Sequence, residues 1–212
     1  MIIAVDGTLA SGKGTVARGI AIAFGLAHLD TGALYRAVAV EILKAGDDPR
    51  DFSAAEAAAK SLDASTIDEI AIRTAEAGAA ASVVAVQPKV RDALFDLQRR
   101  FAVQAGGAVL DGRDIGTVVC PDADVKFYID ADPGVRAERR WRELVAQGGS
   151  IQLEEIGRQL AERDARDSSR ETAPLMRAED AVLLDTTHLS IDATLAEAVR
   201  IISNKTGATP ST

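Results

Sequence analysis

Residues 1–15, MIIAVDGTLASGKGT, constrain the fold more than any other stretch of the chain. An apolar run at residues 2–5 ends in Asp6 and leads into Gly7-x4-Gly12-Lys13-Gly14-Thr15, after which residues 16–24 are apolar at helical spacing. Strand, glycine-rich turn and helix in that order are the setting in which a Gly-x4-Gly-Lys pattern forms a phosphate-binding loop. Glycine at 7 and 12 admits backbone angles and close approaches that a Cβ would block, so successive N–H groups can turn inward around an anion. The helix N-terminus adds partial positive charge, and Lys13 can reach the outer phosphates as a mobile cation. The stretch Gly7, Thr8, Leu9, Ala10, Ser11, Gly12, Lys13, Gly14 and Thr15 is therefore the expected seat of a triphosphate.

Four more apolar runs read as strands: 27–29 ending at Asp30, 107–111 ending at Asp111, 124–130 and 180–185. Helical patterns separate them. Residues 31–44 follow Thr31 as N-cap and stop at Gly46, and 52–60 is a short alanine-rich helix. Residues 88–101 carry Val90, Leu94, Leu97 and Phe101 as an apolar stripe. A helix after Pro133 bears Arg136, Arg139, Arg140 and Arg142; 151–167 is a second, and 190–202 a closing helix capped by Ser190 or Asp192. Residues 61–82 mix helical and strand-like signals, and 207–212 form a tail without core-forming residues. Strands alternating with helices imply a parallel sheet covered on both faces, in one α/β domain of 212 residues.

A net charge of −8 argues against a general nucleic-acid or membrane surface, so anionic ligands are met locally. Arginine is the means: there are 18 Arg against 6 Lys, and 8 of the 18 fall within residues 136–170. Thr31 and Arg36 follow a strand end, the edge at which doubly wound sheets bind ligands. Asp111 ends an apolar strand, as does the acid that holds Mg2+ directly or through water in phosphate-loop proteins. Arg113 and Asp114 stand in the glycine-rich turn beyond it, and Arg91 sits near a helix start, where the dipole does not favour a cation. Gln147-Gly148-Gly149-Ser150 breaks the arginine-rich region into two helices. If the second helix persists, Arg163, Arg166 and Arg170 line one face, as a lid closing over phosphates requires. The single Cys120 fits a reducing compartment, and no stretch is long enough for a transmembrane helix, so the expected location is the cytoplasm.

Gly14 stands where the usual loop has Ser or Thr, which resembles the loop of nucleoside monophosphate kinases. With LDTGALYR (residues 29–36), Val90-Arg91 after Pro88, DGRDIGTVVCPDA (111–123), ERDARDSSRETAPL (162–175) and residues 185–191, the chain resembles bacterial cytidylate kinases over nearly its whole length. The resemblance implies a P-loop kinase fold. Its five-stranded parallel sheet is flanked by helices, in a single domain with core residues 1–45, 99–145 and 171–212, a monophosphate-binding insert at about 46–98 and a helical lid at about 146–170. It implies transfer of the γ-phosphoryl group of ATP to CMP or dCMP with Mg2+, held at Thr15 and Asp111, by a protein that works as a monomer without nucleic acid or membrane.

By the same resemblance Gly12, Lys13, Gly14 and Thr15 hold the ATP phosphates, while Thr31, Arg36 and Arg113 hold the CMP phosphate, and Tyr35 and Asp111 also belong to the substrate site. Ser82, Arg91, Asp114 and Arg170 contact cytosine; Arg163 and Asp167 stand near the CMP phosphate and sugar. Arg139, Arg140, Arg163 and Arg166 move toward the transferring phosphate, and Lys13 and Arg113 complete the catalytic set. Thr8-Leu9-Ala10 departs from the family's usual loop sequence, and 61–82 is shorter than in the long enzymes of the family. The nearest alternative is a kinase for UMP, AMP or shikimate. A GTPase-type switch lacks its Asn-Lys-x-Asp signature, since Asn204-Lys205-Thr206-Gly207 fails it at the last position. His28 and His188 lie near no Ser or Cys arrangement for acyl transfer.

Overall fold

A computed structural model of the chain describes residues 1–146 and 148–211; Gln147 of the expected helix break and Thr212 of the expected tail lie outside them. Among the described residues, β1 (Ile2–Gly7), β2 (Ala27–Asp30), β3 (Ala108–Gly112), β4 (Val125–Asp130) and β5 (Val182–Asp185) form one five-stranded sheet in the order β2-β3-β1-β4-β5. Central β1 runs parallel to β3 and β4, and β4 parallel to β5. The helices are α1 (Lys13–Phe24), α2 (Thr31–Ala45), α3 (Phe52–Ser61), α4 (Ala75–Val84), α5 (Pro88–Ala102), α6 (Pro133–Ala146), α7 (Leu153–Ser169) and α8 (Ile191–Thr206). The five strands are those expected from the apolar runs, and the architecture is the expected α/β one.

The chain forms two compact units, Met1–Leu29 with Ala102–Thr212, and Asp30–Phe101. In the first, alternate strand residues Ile3, Val5, Val109, Val125, Phe127, Ile129 and Leu184 pack with Val16, Ala17 and Ile20 of α1 and Ala198 and Ile202 of α8. Ala4 and Leu110, one place along, are buried as well, which is why these strands read as unbroken apolar runs rather than alternating ones. All strands of this parallel sheet thus end toward the same edge, and the phosphate loop, Asp111 and Asp130 sit at those ends. The tail is anchored: Ser211 donates its N–H to the carbonyl of Ala23 at 2.7 Å, tying it to the end of α1.

In the second unit, α2 opens one residue earlier than expected. Asp30, the last residue of β2, is its cap and accepts the N–H of Ala33, so Thr31 becomes the first helical residue. Either side chain suits a cap, and the strand end decided between them. Residues 61–82 form no strand. Asp63 accepts the N–H of Ser65 to open the turn Ala64–Thr66, Asp68 caps Ile70 and Ala71 before the turn Ala71–Arg73, and α4 follows. Ile72 is buried with Ala37, Val40 and Ala77, while Ile70 is exposed. The buried line of α5 is Val90, Arg91, Leu94, Gln98 and Ala102; Leu97 and Phe101 of the expected stripe are half-buried beside it. Gln98 satisfies its amide on the Leu94 carbonyl.

One helix end also differs from expectation, and another decides between two expected caps. Helix α7 stops at Ser169, and Arg170 is extended (φ −64°, ψ 141°), so it leaves the row expected with Arg163 and Arg166. Its Nε donates instead to the Ala173 carbonyl at 2.6 Å. Ser190, not Asp192, caps α8 by accepting the Ala193 N–H.

Candidate active site

The phosphate loop is shaped by three backbone positions. Gly7 has φ +152°, and a Cβ there would stand 1.9 Å from the Ile129 carbonyl oxygen, so the close passage of β1 by β4 demands this glycine. Gly12 has φ +89° with open space around it, and caps α1 without a side chain. Ala10 between them also has positive φ, 61°. Alternation of this kind curls a chain into an anion-binding nest.

The loop is braced from outside by side chains. The Thr8 hydroxyl donates to Asp130 Oδ1 at 2.6 Å, and that of Ser11, fully buried, donates to the Thr8 carbonyl at 2.9 Å. The Thr186 hydroxyl donates to the Ser11 carbonyl at 2.9 Å, and Arg136 Nη1 to that of Leu9 at 3.3 Å. The hydroxyl of Ser11 is thus engaged within the loop, and that of Thr8 at the end of β4. Lys13 and Gly14 lie half-buried in the first turn of α1, with Thr15 exposed.

Asp111 is buried near the end of β3, and its Oδ2 lies 2.8 Å from His28 Nε2. Its Oδ1 is 3.7 Å from where a Gly14 Cβ would stand, so the carboxylate faces the first turn of α1. No cluster of three or more His, Cys, Asp or Glu able to hold a metal occurs among the described residues. One carboxylate beside a phosphate loop suits Mg2+, which keeps waters and takes its other oxygens from phosphates.

Beyond Asp111, the turn carrying Arg113 and Asp114 is fastened by Asp6, whose two carboxylate oxygens accept the N–H groups of Ile115 and Gly116 at 2.8 and 2.7 Å. Burial pushes the Asp6 carboxyl up to about 7 against those two bonds, which pull it down. Arg113 Nε donates to Asp167 Oδ2 at 2.9 Å, and Arg163 Nε approaches the same oxygen at 3.9 Å. Burial pushes Asp167 up, but the charges of Arg113 and Arg163, the Arg113 hydrogen bond and Arg170 together hold it below the usual carboxylate range. Arg170 Nη2 stands 3.5 Å from Asp114 Oδ1, both side chains being buried. The turn and the end of α7 therefore bring Arg113, Asp114, Arg163, Asp167 and Arg170 into one network of alternating charge.

The remaining lid candidates are placed differently. Arg139 donates to the hydroxyl and carbonyl of Thr186 at 2.9 and 2.6 Å, which ties it to the outside of the phosphate loop. Arg140 pairs with Glu143 at 2.7 Å, and Arg166 is exposed on α7. Helices α6 and α7 share an apolar core of Ala137, Trp141, Leu144, Ile156 and Leu160, on which Leu9 of the loop packs.

In the Asp30–Phe101 unit, Thr31 and Tyr35 are buried on α2, and Ser82 is buried in the last turn of α4. Arg36 pairs with Asp30 at 2.7 Å. The Arg91 guanidinium lies 5.7 Å from the centroid of the Tyr35 ring and donates to the Ala85 carbonyl at 3.3 Å, so these two expected substrate residues are brought together.

Sequence reasoning gave no role to Asp6, His28, Asp130, Arg136, Asp164 and Thr186, which hold in place residues that it did single out. Asp130 carried a readable signal, since it ends a strand just as Asp111 does.

The profile of the cytidylate kinase family matches residues 3–204. A cytidylate kinase from Xanthobacter autotrophicus is 55% identical over 202 residues, 95% of this chain and 97% of that protein. One from Azorhizobium caulinodans is 54% identical over 207 residues, 98% of this chain and all of that protein. Among solved structures, an uncharacterized protein from Eubacterium ventriosum superposes with a TM-score of 0.58 at 12% identity, covering 96% of this chain and 98% of that one, a likeness of fold alone. On the profile match and on identity above one half along nearly its whole length, the chain belongs to the cytidylate kinase family.

Proposed function

We propose that the chain transfers the γ-phosphoryl group of ATP to CMP or dCMP, giving ADP and CDP or dCDP, by direct in-line attack of the monophosphate oxygen. The observation that carries this reading is the identity above one half, over at least 95% of the chain, with relatives named cytidylate kinase. Phosphoryl transfer needs positioning and charge stabilisation more than covalent chemistry. The nest of Gly7 to Gly12 and Lys13 at the start of α1 bind and orient the triphosphate. Arg113 and Arg36 hold the acceptor phosphate, each already oriented by a carboxylate, Asp167 and Asp30. Asp114 with Arg170, and Arg91 on Tyr35, read cytosine: a carboxylate accepts from its exocyclic amine and a guanidinium donates to O2 and N3.

Asp111, and Thr15 in the first turn of α1, are the side chains that would hold Mg2+, which would neutralise the phosphate oxygens when bound. Arg139, Arg140, Arg163 and Arg166 supply charge at the transferring group as α6 and α7 close. We assign residues 46–98 as the monophosphate-binding insert and about 146–170 as the lid of one kinase domain. We infer that it acts as a monomer in the cytoplasm, in keeping with its single, buried thiol at Cys120 and net charge of −8.

The test is a steady-state assay with ATP, Mg2+ and each nucleoside monophosphate in turn. CMP and dCMP are expected to be the efficient acceptors. Preference for UMP or AMP, or hydrolysis independent of any acceptor, overturns the reading.

A further inference from the structure

We propose that Arg136 is a positioning residue for the triphosphate, fixing the direction of the Leu9–Ala10 peptide and coupling that peptide to α7 through Asp164. The identity of the ligand rests on the proposed kinase function. Arg136 lies in the first turn of α6 with 5% of its surface exposed, where neither burial nor the helix dipole favours a cation. It is compensated by four groups, one of them the Asp130 carboxylate, whose Oδ1 lies 3.9 Å from Nε. Nε donates to the Ala131 carbonyl at 3.1 Å, and Nη1 reaches both Asp164 Oδ2 at 2.7 Å and the Leu9 carbonyl at 3.3 Å.

The contact with Leu9 matters because of the residue after it. Ala10 has φ +61°, a left-handed conformation that is disfavoured for a residue with a side chain. In a trans peptide the carbonyl and the N–H point in opposite directions. Holding the Leu9 carbonyl on the guanidinium therefore directs the Ala10 N–H away from α6 and opposes relaxation of Ala10 to an ordinary conformation. Thr186 does the same for the Ser11 carbonyl, and hence for the Gly12 N–H. Only Arg136, of these braces, also reaches α7. There Asp164 gives it one oxygen, while the other, Oδ1, is buried with no hydrogen-bond partner among the described residues. Asp164 stands beside Arg163 and three residues before Asp167, so one guanidinium joins a phosphate-loop peptide to the helix carrying both.

Full-length protein is titrated calorimetrically with inorganic tripolyphosphate, with ATP and with CMP, and amide exchange along α7 is followed with and without tripolyphosphate. Arg136→Lys keeps the charge but loses the planar fork; it is expected to weaken tripolyphosphate and ATP alike, by about tenfold or more, with CMP affinity unchanged. Asp164→Asn, the milder variant, is expected to bind tripolyphosphate normally while losing the slowing of α7 exchange that the ligand brings in the wild type. Unchanged tripolyphosphate affinity in Arg136→Lys overturns the proposal, as does a loss confined to ATP, which marks a base contact, or an equal loss for CMP, which marks general unfolding. Persistent slowing of α7 in Asp164→Asn removes the coupling. None of these readouts uses the acceptor reaction, so failure of the acceptor assay leaves them standing.

Discussion

Replacing Arg113 by Met keeps most of the side chain's volume and removes its charge, which leaves Asp167 with its closest partner gone. The side chains are 14% and 6% exposed and the Nε–Oδ2 distance is 2.9 Å, so water cannot fully replace the guanidinium. Removing one member of a buried pair costs about 3–5 kcal/mol. Arg163 remains 3.9 Å from the same oxygen and Arg170 still acts on it, so the lower end, about 3 kcal/mol, is expected. For a chain of this size that lowers Tm by roughly 6–12 °C. The stronger statement concerns the pair. Asp167→Asn in the Arg113→Met background removes the orphaned charge, so the double variant should be more stable than Arg113→Met alone, with a coupling of about 1–3 kcal/mol.

Urea unfolding of all four proteins supplies the cycle without recourse to activity, in which both residues have a proposed role. Acid titration gives a second readout. Asp167 is held below its ordinary value in the fold, so its stabilisation is present above 3.8 and is lost as pH falls through the lower folded value. Arg113→Met shrinks that interval and should lose less on acidification. Additive single effects, or an unchanged acid limb, refute the argument that this ion pair organises the end of α7.

Asp6 gives the opposite pH dependence. Its carboxyl stands at about 7 in the fold against an ordinary 3.8, so the fold holds a proton the unfolded chain has lost. Stability is highest below the unfolded value and falls as pH rises to about 7, by up to roughly 4 kcal/mol. Asp6→Asn should show a flatter profile between pH 5 and 8 in urea unfolding, and parallel profiles for the two proteins count against the assignment. Asp114→Ala should lose discrimination between CMP and UMP as acceptors while its affinity for ATP persists; unchanged selectivity removes Asp114 from base reading.

Much of this was legible because it is local. The phosphate loop, LDTGALYR and DGRDIGTV are contiguous, and the inner strands β1 and β3, buried on both faces, announce themselves as apolar runs ending near a polar turn. What escaped was decided at a distance or by a single turn of backbone. Asp30 and Thr31 are adjacent and equally able to cap, so only the end of β2 chose between them. Leu97 promised to face the core of α5, yet Gln98 took that place once its amide found the Leu94 carbonyl. Arg170 continued the arginine row in the sequence, but α7 ended one residue before it. The bond from Arg136 to Leu9 spans 127 positions, and nothing in the charge-rich run of 136–142 singles that arginine out from its neighbours.

On the proposed assignment of the acceptor phosphate to Arg36 and Arg113, their pairing with Asp30 and Asp167 makes phosphate binding an exchange rather than a capture. Each guanidinium is held by a carboxylate of the chain itself, a resident rival that any incoming anion must displace. Chloride or a lone carboxylate gains little by the trade, whereas a phosphate dianion brings more charge and more acceptor oxygens to the same fork. On that assignment the two acids act as a threshold: they keep the guanidiniums aimed while idle, and they reserve them for ligands charged strongly enough to win the contest.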